Sequence, residues 1–233
     1  MTASPARPCI LFDLDGTLVD SLPDLSHALN VMLTRLGRRA LAADEVRLMV
    51  GDGAATLVER ALTATGGLAH GSLSDHTRHF LEIYEGGPAD RTRPYPGADR
   101  TLEHLHASGY LMAVCTNKPY APSIAILEAL GLRRFFGAVV GGDSIAGVKK
   151  PDPRMVVAAL EALDASSARA LFVGDSGNDV FAARAAGLPV VAVTFGYSRV
   201  PVADLGADAT IDALAELPGL ADRLLAATAA GVP

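Results

Sequence analysis

Two acidic residues at the end of an apolar run, Asp13 and Asp15 in Cys9-Ile10-Leu11-Phe12-Asp13-Leu14-Asp15-Gly16-Thr17, are the first in this chain whose types and spacing could do chemistry. In extended backbone successive side chains alternate faces, so both carboxylates project to one side just past the apolar residues. Such a pair can divide general acid and base work, supply a nucleophile, or offer hard oxygen ligands to a cation. An acidic loop after a core strand would leave the same residues.

Three further stretches pass from apolar or loop residues into reactive ones: Cys115-Thr116-Asn117-Lys118, Lys149-Lys150-Pro151-Asp152-Pro153 and Gly174-Asp175-Ser176-Gly177-Asn178-Asp179. If the apolar runs are parallel strands, these stretches share one rim of the sheet with Asp13 and Asp15. The acids Asp13, Asp15, Asp175 and Asp179, the Thr116 hydroxyl and a lysine would then meet there. That set suits phosphoryl transfer. Carboxylates such as Asp13 and Asp175 are ligands for Mg²⁺, which takes few protein carboxylates and keeps room for a phosphate oxygen. A hydroxyl and an ammonium neutralise the remaining phosphate oxygens. A second carboxylate can attack phosphorus to form an aspartyl-phosphate, splitting one difficult hydrolysis into two easier steps.

Lysine usage points the same way. The only lysines in the 233 residues are Lys118, Lys149 and Lys150, and every other basic residue is Arg. A compact ammonium and a planar guanidinium are not interchangeable on a phosphate, so lysines confined to the proposed rim fit a phosphate site. A chance cluster in a lysine-poor chain would look alike.

The elements that must position these residues follow from periodicity. Apolar runs at Leu111 to Cys115, Ala138 to Val140, Ala170 to Val173 and Val190 to Val193 alternate with helical patterns at Ala98 to Ala107, Ser123 to Leu130, Met155 to Leu163 and Val180 to Ala186. Such βα alternation argues for an α/β fold with a Rossmann-like parallel sheet, completed by Cys9 to Phe12. Leu22, Leu25, Leu29, Met32, Leu33 and Leu36 recur at helical steps before Gly37, with further helices expected near Asp44 to Met49, Ala54 to Thr65 and Ser74 to Glu85. Residues 21–93 thus read as an all-helical insert, and residues 1–20 with 94–233 as a discontinuous core. The stretches Glu85-Gly86-Gly87-Pro88 and Arg93-Pro94-Tyr95-Pro96-Gly97 read as a linker or hinge. From Pro218 the tail reads as a last amphipathic helix with a frayed Ala/Gly end.

Composition narrows the partners. A formal charge of -6 and a pI near 5.5 give no attraction to nucleic acid or an anionic membrane surface. No apolar run is long enough to span a bilayer, and Asp13 interrupts the first before it could serve as a signal-peptide core, so a cytoplasmic protein is expected, either monomer or homodimer. Cys9 and Cys115 sit inside apolar runs, where buried reduced thiols are the default.

The four motifs, in this order around a helical insert, resemble the haloacid dehalogenase superfamily of phosphatases, and the resemblance spans nearly the whole chain. It implies Asp13 as nucleophile and Asp15 as acid toward the leaving alkoxide, then base toward water. It implies Mg²⁺ held by Asp13, the Asp15 backbone carbonyl and Asp175, with Thr116, Asn117 and Lys150 on the phosphate. Ser176 and Asp179 would support the metal from behind or orient Lys150. The dehalogenases proper lack an acid at the place of Asp15. The insert resembles that superfamily's helical cap, which closes over the site. Leu48 to Leu62, Thr116-Asn117-Lys118-Pro119, Gly141-Gly142-Asp143 and Lys149-Lys150-Pro151 look most like phosphoglycolate phosphatases, which implies a small phosphorylated metabolite as substrate.

In the insert, Gly51 and Gly53 flanking Asp52 could let backbone N–H groups approach a small carboxylate, with Arg47 or Arg60 as its ion partner; an ordinary turn with solvated arginines is the other reading, and the better one for Arg60. His76 and His79 could ligate a metal or simply face solvent. A β-phosphoglucomutase-like mutase shares the core motifs. A phosphonoacetaldehyde hydrolase needs a cap lysine, and the insert has none. A receiver domain gathers similar residues but in another chain order and without a cap.

Overall fold

The computed structural model describes residues 7–229 other than 69 and 88. Strand β1 (Cys9–Phe12) turns into the two-residue β2 (Val19–Asp20), followed by helices α1 (Leu22–Arg35), α2 (Ala43–Arg47), α3 (Ala54–Ala64) and α4 (Leu73–Glu85). Strand β3 (Arg93–Pro94) then leads into α5 (Ala98–Ala107), β4 (Leu111–Cys115), α6 (Tyr120–Ala129), β5 (Ala138–Val140), α7 (Arg154–Ala162), β6 (Ala170–Gly174), α8 (Gly177–Ala185), β7 (Val190–Val193), β8 (Ala209–Ile211) and α9 (Leu217–Ala229). The Ala/Gly end expected to fray lies largely outside the described residues, as does Pro88.

Six strands form one parallel sheet in the order β5-β4-β1-β6-β7-β8. The sheet grows outward from β1 in both directions, through β4 to β5 on one side and through β6 to β8 on the other. Phe12 stands level with Val114 and Val173, so the residues that follow all three strands emerge together.

Strand alternation divides the core in two. Ile10, Phe12, Met112, Val114, Leu171 and Val173 pack with α5, α6 and α9, while Cys9, Leu11, Ala113, Cys115, Ala170 and Phe172 pack with α7 and α8. Both faces are thereby covered, as a parallel sheet requires, and the sheet strands read as continuous apolar runs for that reason. Both cysteines are buried and free, and burial pushes their thiols up to about 12.

Helices α1 to α4 occupy the stretch between β2 and β3. The segment read as a hinge is more ordered than its composition suggests, because Arg93–Pro94 pairs antiparallel with Val19–Asp20. The buried Asp24 carboxylate, at the start of α1, accepts the N–H groups of Arg91 (2.9 Å) and Thr92 (2.7 Å). The two crossings into and out of the helical stretch are thus tied side by side. Strand β8 and this small ribbon are absent from the periodicity reading, since three- and two-residue strands carry no measurable alternation. Helices α6 and α8 begin three residues before their expected starts, because Pro119 and Ser176 open them ahead of the first apolar repeat.

Candidate active site

The turn after β1 aims its acids. Gly16 takes φ +86, a left-handed conformation that glycine adopts freely, and a side chain there would collide with the Asp175 carboxylate. The N–H groups of Leu18 and Val19 both bond to the Leu14 carbonyl, closing a tight loop that keeps Asp13 and Asp15 over the strand ends.

Lys150 is the central cation. Its ammonium lies 2.9 Å from Asp13 and 2.6 Å from Asp179, with its side chain only 1 % exposed. Burial works against this charge, but the two carboxylates outweigh it and hold the lysine protonated. Asp179 is saturated. One of its oxygens meets Lys150, and the other accepts the Ser176 hydroxyl (2.7 Å) and the N–H groups of Ser176 (3.0 Å) and Asp175 (3.2 Å). Asp179 therefore fixes both Lys150 and the start of α8.

Asp13 and Asp175 are poorly compensated. Burial raises Asp13 to about 6, against the pull of Lys150, and burial with the nearby Asp179 and Asp13 charges raises Asp175 well above the usual carboxylate range. Oxygens of Asp13, Asp175 and Asp179 all lie within 4.8 Å of one another. A buried trio of carboxylates with one lysine among them is chemically suited to a divalent cation, and with Asp179 already spent on hydrogen bonds, Asp13 and Asp175 are the side chains that could hold it. The Tyr197 N–H bonds Asp175 at 2.5 Å and orients the free oxygen. Without a divalent cation, Asp175→Asn is expected to raise Tm by several degrees by removing a crowded buried charge, and to abolish the Tm gain the wild type shows on adding Mg²⁺. Thermal scans with EDTA and with Mg²⁺ decide this; a variant still stabilised by Mg²⁺ would place the ion elsewhere.

Thr116 is buried at the pocket floor, and its hydroxyl accepts the Lys118 N–H at 3.2 Å. Asn117 differs from the phosphate-binding expectation. Its amide donates to the carbonyls of Gly51 (3.0 Å) and Lys150 (3.0 Å) and accepts the Lys150 N–H (2.8 Å), so the side chain is used up in fastening loops together. Only its backbone remains for a ligand.

The insert residues also divide. Gly51 and Gly53 line the pocket, whereas Arg47 and Asp52 are engaged elsewhere. Arg47 donates to the Gly196 carbonyl and lies 5.8 Å from the Tyr197 ring. Asp52 accepts from Asn178 (2.6 Å), pairs with Arg60 (2.6 Å) and meets Arg199. These charges clasp the helical stretch to the core loops after β6 and β7; they leave no guanidinium pointed at a ligand. Arg60 pairs within the helical stretch, with Asp52 and the Met49 carbonyl (2.9 Å), and is only partly exposed. Among the histidines, His76 is buried and the partly exposed His79 bonds Arg35 at 2.7 Å; neither belongs to a cluster of metal-ligating side chains among the described residues.

Two residues absent from the sequence-based site list stand inside it. Lys118 is 6 % exposed and contacts both Asp15 oxygens at 3.1 and 3.3 Å, while the Ser21 hydroxyl donates to Asp15 at 2.5 Å. The confinement of lysine to the rim was the signal for Lys118. Nothing local marks Ser21.

A sequence profile of haloacid dehalogenase-like hydrolases matches residues 8–187. The chain belongs to that family. A phosphoglycolate phosphatase from Caulobacter vibrioides is 43 % identical over 217 residues, covering 93 % of this chain and 91 % of its own length. One from Rhodospirillum rubrum is 46 % identical over 214 residues, covering 89 % and 88 %. A solved structure described as a predicted phosphoglycolate phosphatase from Haemophilus somnus superposes with a TM-score of 0.87 at 35 % identity, covering 92 % of this chain and 97 % of that one. In this haloacid dehalogenase-like hydrolase, Asp13, Thr116, Lys150 and Asp175 follow separate strands or loops and gather at one rim of the sheet.

Proposed function

We propose that the protein hydrolyses 2-phosphoglycolate to glycolate and phosphate, with Mg²⁺ as cofactor and an aspartyl-phosphate on Asp13. The observation that carries this reading is the shape of the pocket. The acids Asp13 and Asp15 face Leu25, Phe80 and Tyr84 of the helical stretch across a space of about 50 Å³. So confined a space beside the acids favours a leaving group as small as glycolate.

An Asp13 oxygen attacks phosphorus while the bond to the ester oxygen breaks. Asp15 gives its proton to the departing alkoxide, then takes one from the water that attacks the phosphoenzyme, returning Asp13 to its free form. Lys150 and Thr116 neutralise and orient the phosphoryl oxygens; Asp13, Asp175 and the Asp15 carbonyl would hold a divalent cation, which would supply further charge neutralisation there. Residues 21–93 act as the cap over a core of residues 1–20 and 94–233, excluding bulk water while the phosphoenzyme exists.

Steady-state phosphate release with Mg²⁺ tests the assignment. A kcat/KM for 2-phosphoglycolate about a hundredfold above those of sugar phosphates and p-nitrophenyl phosphate is expected, equivalent to about 2.7 kcal/mol of discrimination. Uniform weak rates would reject the substrate, and isomerised sugar phosphate without phosphate release would favour a mutase. No helix among the described residues is long and apolar enough to cross a membrane.

A further inference from the structure

The pocket has one positively charged side chain on its wall, Lys118. Its ammonium is held between two groups from different parts of the chain, Asp15 at 3.1 Å and the face of the Tyr84 ring at 4.5 Å. Tyr84, on α4, is 3 % exposed and lines the same pocket, yet its O–H reaches no acceptor among the described residues. A buried hydroxyl without an acceptor is a standing cost unless a ligand or water completes it. The wall beside them is apolar, formed by Leu25, Leu57 and Phe80. An ammonium and an unfilled O–H therefore converge beside the acids, against an apolar wall.

We propose that Lys118 and Tyr84 form a carboxylate subsite that selects phosphomonoesters bearing a carboxylate on the carbon next to the ester oxygen. This rests on the reading of the same site as a phosphomonoesterase, and it assigns the specificity to residues other than Arg47. In such a substrate the carboxyl carbon lies two single bonds, about 2.4 Å, from the ester oxygen. A substrate whose ester oxygen takes its proton from Asp15 thus presents its carboxylate within reach of the ammonium that already touches Asp15. Lys118 offers a donor beyond those directed at Asp15, and Tyr84 gives its O–H to the second carboxylate oxygen. Lys118 follows β4 and Tyr84 lies on α4, so the subsite is complete only with the helical stretch seated on the rim. A carboxylate then favours the closed arrangement in which hydrolysis is protected from solvent.

The competing role for Lys118 is support of Asp15 alone, which would affect all esters alike. The discriminating quantity is the ratio of kcat/KM for 2-phosphoglycolate to that for monoethyl phosphate, which has the same chain length without the acid. Lys118→Gln is expected to lower this ratio about a hundredfold and Tyr84→Phe about tenfold. A ratio unchanged within about threefold in both variants overturns the subsite, as does a wild type indifferent to the carboxylate. If Lys118→Gln fails to fold, the Tyr84→Phe ratio carries the test. Calorimetric binding of both esters to the Asp13→Asn variant gives a readout independent of turnover. Preference for 2-phosphoglycolate that is lost with Tyr84→Phe supports the subsite, and equal affinity overturns it. Inactivity of the wild type on every ester would reject the hydrolase reading, and the binding comparison would still decide the subsite.

Discussion

Asp13→Asn is expected to lower kcat at least about 10⁴-fold, with no phosphoryl group detectable on the protein by mass spectrometry after rapid quenching. The substitution keeps the shape and an oxygen acceptor for Lys150 but removes the charge that attacks phosphorus. It also relieves crowding, because burial and the neighbouring Asp179 and Asp15 push the Asp13 carboxyl up in the metal-free protein. Lost activity should therefore come without lost stability, which separates a chemical role from a structural one. Turnover within tenfold of the wild type would reject Asp13 as nucleophile. Asp15→Asn should behave differently: with p-nitrophenyl phosphate, whose leaving group needs no proton, phosphoenzyme should form and then persist, because the base that activates water is gone.

Substitution at Lys150 should be nearly as damaging, for two reasons that different variants separate. Lys150→Met leaves Asp13, Asp175 and Asp179 buried without their shared cation, and stripping one partner from such a network costs about 3–5 kcal/mol. For a chain of this length that corresponds to a fall in Tm of roughly 6–20 °C. Lys150→Arg retains the charge, but its side chain must fit a site where the native lysine is 1 % exposed and bonded on both sides. A planar fork cannot occupy the place of a compact ammonium there without displacing Asp13 or Asp179. We expect a fall in kcat on the order of 10²-fold with a smaller change in Tm. Near wild-type turnover in Lys150→Arg would show that the lysine only balances charge.

The sequence by itself determined the sheet and its rim. Continuous apolar runs such as Leu111 to Cys115, alternating with helical patterns, read as strands covered on both faces, and each ends in polar residues, so in a parallel sheet Asp13, Thr116 and Asp175 emerge at a common edge. Helix α1 was equally legible, because apolar residues at helical spacing define one face, on which Leu25, Leu29, Met32 and Leu33 are buried. Lys150 could be read from its type and place, since lysine occurs nowhere else but the rim.

Tertiary structure decided which polar side chains remain available. Arg47, Asp52 and Asn117 have the right types for binding a ligand, yet each is consumed by a partner distant in sequence: Gly196, Arg199 with Asn178, and the Gly51 and Lys150 carbonyls. A one-dimensional pattern cannot reveal this, because hydrogen-bonding capacity is a property of the residue while its use depends on what the fold brings beside it. The same reason hid Tyr84. On α4 it is one more apolar-facing residue of an amphipathic helix, and only docking of that helix over Lys118 turns its hydroxyl into an unfilled donor within the pocket.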